Sequence, residues 1–345
     1  MKKLVLVMFA LLSAEAFASK ARVNSLIGAD HLVDAQTTFQ IPSHLNLLNP
    51  FLTFEMGTQG TDAEAGVMRK VGGGNLMLYV GHQNTTASVA QGDMRTVNSY
   101  TEQVNPIEIL YGAGNMGFGV SISNSDNKAA STKETTVVGK WGMNFDKESW
   151  AWANVQLYSR AAKGAGAAKT EITPSPYLSG GVSMAMNTMR VFGRLDAGRG
   201  KYDASTASTN KDLNDLNIQA GVEDRSLRTN AADIYYGAKV AWAKRTYDSK
   251  DISNYQLPVF IGIEAPVFSW MTVRASASQN VLFGETKDET TTPTSKTDIP
   301  ANTLVAAGLG FTHAGFTLDG SLTAAGNGNI NGNQFMTQAA LTYNF

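Results

Sequence analysis

The chain has 345 residues, 28 Lys and Arg against 29 Asp and Glu, and no cysteine. A near-neutral charge leaves no electrostatic footprint for nucleic acid, and without cysteine no disulfide framework staples a large secreted soluble domain. A charged fraction of 17% looks soluble by hydropathy, yet a membrane barrel has the same average, because alternate residues face water inside it.

Taken in order, the chain opens on Lys2 and Lys3, an apolar run from Leu4 to Ala14, and the small residues of Ala16-Phe17-Ala18. This predicts a secretory signal peptide over residues 1–18, whose apolar run is too short to span a bilayer. Residues 19–49 do not alternate cleanly over any length. They read as an irregular or partly helical lead-in, suited either to a barrel lumen, as a plug, or to its periplasmic mouth.

After Pro50 the pattern changes to period two. Leu76, Leu78 and Val80 share a face, as do Ile107, Ile109 and Tyr111, and then Met116, Phe118, Val120 and Ile122. The series continues through Val137 to Phe145, Leu178 to Met184, Met189 to Ala197, Leu216 to Val222, Tyr236 to Trp242 and Leu257 to Ala265, and on to Phe316–Ala324. In the stretch from Trp150 to Tyr158 either phase is open, with the alanines or the tryptophans outward. Alternating apolar faces with so little helix predict two-faced strands throughout. Short connections such as 112–115, 186–188, 266–270 and 313–315 take turns with long polar ones at 84–103, 124–133, 159–173, 199–213, 284–301 and 325–334. Short turns on one rim and long loops on the other are the asymmetry of an outer-membrane barrel. Unpaired backbone groups are not tolerated in lipid, so first and last strands must join. The expectation is an all-β, closed antiparallel transmembrane β-barrel over residues 50–345, with short periplasmic turns and long extracellular loops. It has about 16 strands of roughly 9–11 residues, or about 14 if residues 51–57 and 61–69 form no first hairpin.

The terminal strand, residues 335–345, sets Phe335, Leu341, Tyr343 and Phe345 on one face and Gln338, Thr342 and Asn344 on the other. With the signal peptide, the repeated hairpins and the terminal Leu341-Thr-Tyr-Asn-Phe345, the chain resembles the porin-type outer-membrane proteins of Gram-negative bacteria over nearly its whole length. The resemblance implies location in the cell outer membrane, among outer-membrane lipid and lipopolysaccharide. It also implies that Tyr343 and Phe345 are read by the barrel assembly machinery. The general-porin constriction signature Pro-Glu-Phe-Gly-Gly is absent, which speaks against a trimeric general porin and leaves a homo-oligomer open. A fainter likeness to fatty-acid-transporter-like barrels runs from Arg22 to Leu45, with Ile41-Pro-Ser-His-Leu45 where that family has Asn-Pro-Ala.

Gly112-Ala-Gly-Asn-Met-Gly117 matches a dinucleotide-binding fingerprint, but the motif needs a helix after it and an alternating strand follows. His31, His44, His82 and His313 lack metal-ligand spacing. His82, with Thr85, Thr86 and Ser88 nearby, is the nearest approach to a hydrolytic constellation, and solvated loop polarity explains it more simply. Neither a cofactor nor catalysis is expected. The polar phase of the strands carries Lys140, Arg190, Arg194, Asp196, Lys239, Glu264, Arg274 and Asp319. As pore-lining candidates they would order water across a channel; the plainer reading is that each is a solvated or ion-paired filler of the lumen. The leading expectation is passive diffusion of small hydrophilic solutes. The alternatives are a transporter of hydrophobic compounds with an N-terminal plug, and a structural or surface-recognition barrel.

Overall fold

Successive side chains of a strand point to opposite faces, so a ribbon of alternating residues between lipid and water closes most simply into a cylinder. In the computed structural model, residues 19–56, 63–82, 106–129, 131–164, 169–204, 211–247, 250–289, 294–298, 303–325 and 338–345 are described. The expected signal peptide lies outside these residues. Seventeen strands run in chain order: β1 Phe51–Met56, β2 Glu64–Val71, β3 Gly74–Val80, β4 Ile107–Ala113, β5 Met116–Asn127, β6 Thr132–Asn144, β7 Trp150–Lys163, β8 Thr170–Met186, β9 Met189–Ala204, β10 Lys211–Asp224, β11 Asp233–Tyr247, β12 Lys250–Phe268, β13 Met271–Asp288, β14 Ser295–Asp298, β15 Thr303–His313, β16 Phe316–Ala325 and β17 Gln338–Asn344.

Each strand pairs antiparallel with the next, except that β14 pairs only with the outer end of β13, and β13 also pairs with β15. Closure comes from β17 against β1, in register from Phe51↔Asn344 to Met56↔Ala339. Sixteen strands therefore complete the wall, and residues 51–56 and 64–71 do form the first hairpin. Among the described residues no helix is long and apolar enough to cross a membrane.

The two faces differ as the alternation requires. Phe54, Leu78, Ile109, Phe118, Val191, Ile218, Ile261, Leu309, Leu318 and Leu341 are exposed on the outside, while Thr53, Glu55, Glu108, Thr136, Asn154, Asp196 and Thr317 are buried on the inside. An apolar belt running right round the molecule is a liability in water and the solvated face in lipid. On the rim of short turns the belt becomes aromatic. Phe268 stacks on Trp270 at 5.3 Å, Trp270 on Phe311 at 6.0 Å, and Tyr343 lies 4.5 Å from Phe316 and 6.1 Å from Phe345.

Two expectations need correction, and one question left open is answered. The strands are longer than anticipated, reaching 19 residues in β12, and much of the connections at 124–133, 159–173 and 199–213 continues the ladder. Backbone pairing does not require an apolar face once the chain has left the lipid, so alternating Thr, Ser, Lys and Asp extend the wall beyond it. The connection at 266–270 shrinks to Ser269 and Trp270, because β12 continues to Phe268. In β7 the tryptophans turn inward: Trp150, Trp152, Asn154 and Gln156 are buried. A bulge opposite Val137 and Val138 then resets the phase, leaving Leu157 and Tyr158 67% and 48% exposed on the same side.

Candidate functional site: the lumen and its N-terminal segment

Residues 19–49 have too little regular structure to satisfy their own backbone. Helix α1, Lys20–Ser25, is one and a half turns long and is capped by Ser19, whose hydroxyl accepts from the Arg22 amide at 3.2 Å. Two 3₁₀ turns follow, Gln36–Phe39 and Pro42–Leu47, the second opened by proline. Irregular backbone away from water needs partners elsewhere, and the inner wall supplies them. Ser276 accepts from the Ile27 amide at 2.9 Å and donates to the Ser25 carbonyl at 2.9 Å. Tyr235 donates to the Ile27 carbonyl at 3.0 Å, Asn75 to that of Leu45 at 2.9 Å, Asn144 to that of Ser43 at 2.9 Å and Asn154 to that of Gln40 at 3.2 Å. The amides of Lys20 and Asp30 donate to Glu55 at 2.9 Å and to Glu223 at 2.8 Å.

Charge fixes the helix. Arg22 grips Glu264 with two nitrogens at 2.9 and 2.8 Å and reaches Asp34 at 3.3 Å. Glu264 also accepts from Arg274 at 2.7 Å, Arg274 bonds Asp319 at 2.6 Å, and Asp319 accepts from Ser19 at 3.1 Å. Lys20 pairs with Glu64. Burial pushes the Asp34 carboxyl up to about 6, and burial pushes His44 down to about 3. His44 is therefore a neutral packing group, edge-on to Trp150 at 4.5 Å.

Apolar contacts complete the docking. Ala35, Phe39, Leu45 and Leu48 pack on Phe51, Met68, Met77, Tyr79 and Leu110 of β1–β4; Leu26 and Leu32 pack on Tyr235 and Phe260, and Ile41 on Trp150 and Trp152. Beside them the glycines of the nucleotide-like motif find a different use. Gly112, Gly117 and Gly142 sit side by side on β4, β5 and β6, and a Cβ at Gly117 would lie 2.2 Å from the Pro42 carbonyl carbon. Gly114, at φ 60°, makes the turn between them. Gly117→Val should therefore leave the barrel closed but displace the segment. Limited proteolysis would then cut the variant within residues 19–49 much faster than the parent, and equal rates would refute the close approach.

The eight sequence-predicted lumen residues all face inward, and the structure divides them. Glu264, Arg274 and Asp319 hold α1. Lys140 pairs with Glu108 at 2.6 Å and lies 5.7 Å from the Phe39 ring. Arg190 donates to Ser183 at 2.6 Å, stands 3.9 Å from Glu223 and covers Trp150 at 4.5 Å. Arg194 bonds Asp196 at 2.8 Å and lies 5.6 Å over Trp152. Arg194 and Lys239 line a cavity of about 710 Å³ bounded by the segment, by β7–β11 and by Leu304, Thr323 and Gln338 of β15–β17.

The partners on the wall were not singled out from sequence: Glu55, Glu64, Glu108 and Glu223, with Trp150 and Trp152. Glu108 stands between Ile107 and Ile109 and Glu223 next to Val222, so strict alternation puts both inside. Arg22 carries no such signal, because its surroundings have no period. His82 stacks on Phe39 at 3.7 Å and approaches Glu64 at 3.4 Å; Thr85, Thr86 and Ser88 lie outside the described residues. His31 is 2.7 Å from Glu223. Tyr343 and Phe345, the expected assembly signal, face outward on the short-turn rim.

A closed sheet with a lipid-compatible outer belt and a polar inner wall defines a transmembrane β-barrel of the outer-membrane type. The chain matches no protein-family model, and no curated protein matches it. Among solved structures it is similar to OmpT, an outer membrane protein of Vibrio cholerae, at 12% identity and a TM-score of 0.42, covering 86% of this chain and 95% of that one. It is also similar to the outer membrane channel DcaP of Acinetobacter baumannii, at 10% identity and a TM-score of 0.44, covering 86% and 96%. The class assigned here rests on the closed sheet and its two faces, not on these likenesses.

Proposed function

We propose that the protein is an outer-membrane channel for passive diffusion of small hydrophilic solutes, with residues 19–49 of the exported chain narrowing the lumen. The observation that carries this reading is the lumen's composition: inward carboxylates, guanidinium groups, amides and hydroxyls beside a cavity of about 710 Å³. Such a wall suits water and polar solutes, with selectivity set by width and charge and with no bond chemistry. A second reading is a gated or plugged transporter. It is favoured by the density of contacts holding residues 19–49, which reach strands from β1 to β16.

Single-channel recording of the refolded full-length chain in planar bilayers tests the proposal. Stable open steps are expected. Silence from the full chain together with large steps after deletion of residues 19–49 would favour the plugged transporter, and silence from both would sink the channel reading. Arg194→Glu should move the anion to cation permeability ratio toward cations, since it reverses a charge on the cavity wall; an unchanged ratio through open channels would remove Arg194 from the conduction path.

A further inference from the structure

The register of β7–β11 brings one inward row together: Trp150 beside Ser183, Ser183 beside Phe192, Phe192 beside Gly221, and Gly221 beside Lys239. The next row, nearer the outer side, sets Trp152 beside Gly181, Gly181 beside Arg194 and Arg194 beside Gln219. Rings and glycines alternate for a steric reason. A Cβ at Gly181 would lie 2.8 Å from the Trp152 indole nitrogen, and a Cβ at Gly221 would lie 2.4 Å from the tip of the Phe192 ring. The two rings therefore lie against the wall where any other residue would push them off; Arg194 and Ile41 cover Trp152, and the half-buried Phe192 presents its apolar surface to the cavity.

Charge on this wall is uneven. The Arg194 guanidinium is matched by Asp196, two residues further along β9 in the next inward row toward the outer side. Lys239 makes no hydrogen bond or ion pair among the described residues. The charges that act on it at longer range are Arg194, which repels it, and Asp30, and Asp30 already accepts from the Ser183 hydroxyl. A lysine ammonium offers three donors and no acceptor. Its complement is an anion, and the Phe192 ring in its own row complements a flat apolar body.

We propose that this cavity is a binding site for small organic anions with a flat apolar body, the carboxylate or equivalent group meeting Lys239 and the body lying on Phe192, with Trp152 at the rim of the same cavity. The inference rests on the channel reading, for which it names the solute class. An unpartnered ammonium replaces water by a charge-assisted hydrogen bond when such an anion arrives, while the Phe192 ring buries the apolar part. A neutral analogue keeps only the second contribution, and a small hydrophilic anion keeps only the first.

The test is a titration of intrinsic tryptophan fluorescence in refolded full-length protein, using sodium benzoate, benzamide and sodium acetate, with channel recordings on the same samples. Benzoate should give a saturable change at about tenfold lower concentration than benzamide or acetate, the gain expected of one charge-assisted hydrogen bond. Lys239→Gln should raise the benzoate half-saturation by about tenfold, Lys239→Arg should restore most of it, and Trp152→Phe should remove most of the signal. Heat-modifiable migration confirms that each variant is folded, and the arginine variant keeps the test decisive should the glutamine variant fail. Benzoate and benzamide titrating alike, or a folded Lys239→Gln protein with unchanged half-saturation, would overturn the site. Open channels with no charge-dependent titration defeat the site and leave the channel standing. Saturable, Lys239-dependent titration with silent bilayers defeats the channel and leaves the site standing.

Discussion

Deleting residues 19–49 is expected to raise the unit conductance of the refolded barrel several-fold and to make it more cation-selective. The wall closes without the segment, because β1 pairs β17 directly, through the backbone ladder and the Thr53 and Thr342 hydroxyls. Removal empties the cross-section and leaves Glu55, Glu64, Glu223 and Glu264 without the partners that residues 19–49 supply: the Lys20 and Asp30 amides, the Lys20 ammonium, His31 and Arg22. Newly hydrated carboxylates attract cations. The readouts are step size and reversal potential in a salt gradient. Unchanged steps in both would mean that solutes do not pass where the segment lies.

Arg274→Ala should be the most damaging single substitution in the wall. Its side chain is 0% exposed and bridges Glu264 at 2.7 Å and Asp319 at 2.6 Å. Removing one member of a buried charge network leaves the others uncompensated, at a cost of about 3–5 kcal/mol. Arg22 still offsets Glu264, so the uncompensated charge falls mainly on Asp319. Arg274→Ala with Asp319→Asn should therefore recover part of the loss. Urea unfolding of the refolded protein, followed by tryptophan fluorescence or gel mobility, measures both. An unchanged midpoint in Arg274→Ala would show that water already screens the network. Such networks are weak evidence for net stability, and what this one fixes is the position of α1 against β12, β13 and β16.

Much of the architecture was legible because its causes are local. The Cβ direction alternates along a strand whatever the strand touches, so Ile107, Ile109 and Tyr111 could be placed on one side of the wall and Glu108 on the other from the chain alone. Alternation left Trp150–Tyr158 open, because the bulge that resets it is a property of the pair β6–β7, not of either strand. Strand ends beyond the lipid were also misjudged. There the side chains lose their apolar contrast while the backbone ladder continues, and hydropathy carries no record of backbone pairing.

The site was less legible for a different reason. Sequence placed Arg190, Arg194, Lys239, Glu264 and Arg274 on polar faces, but ion pairs across a lumen join residues such as Arg22 and Glu264 that lie far apart along the chain. A segment without periodicity gives no clue to what it meets. The Gly112, Gly114 and Gly117 motif shows the limit well, since the chain marks where a Cβ is missing and only the fold shows that Pro42 and Ser43 fill the space. By itself, then, the sequence determined a closed, two-faced antiparallel wall with short turns on one rim, because backbone geometry and lipid allow little else. Tertiary structure alone decided that residues 19–49 lie inside that wall, and that Lys239 is left in the row of Phe192 with no hydrogen bond or ion pair among the described residues. Those arrangements depend on contacts between distant residues, each favourable only once the cylinder has closed.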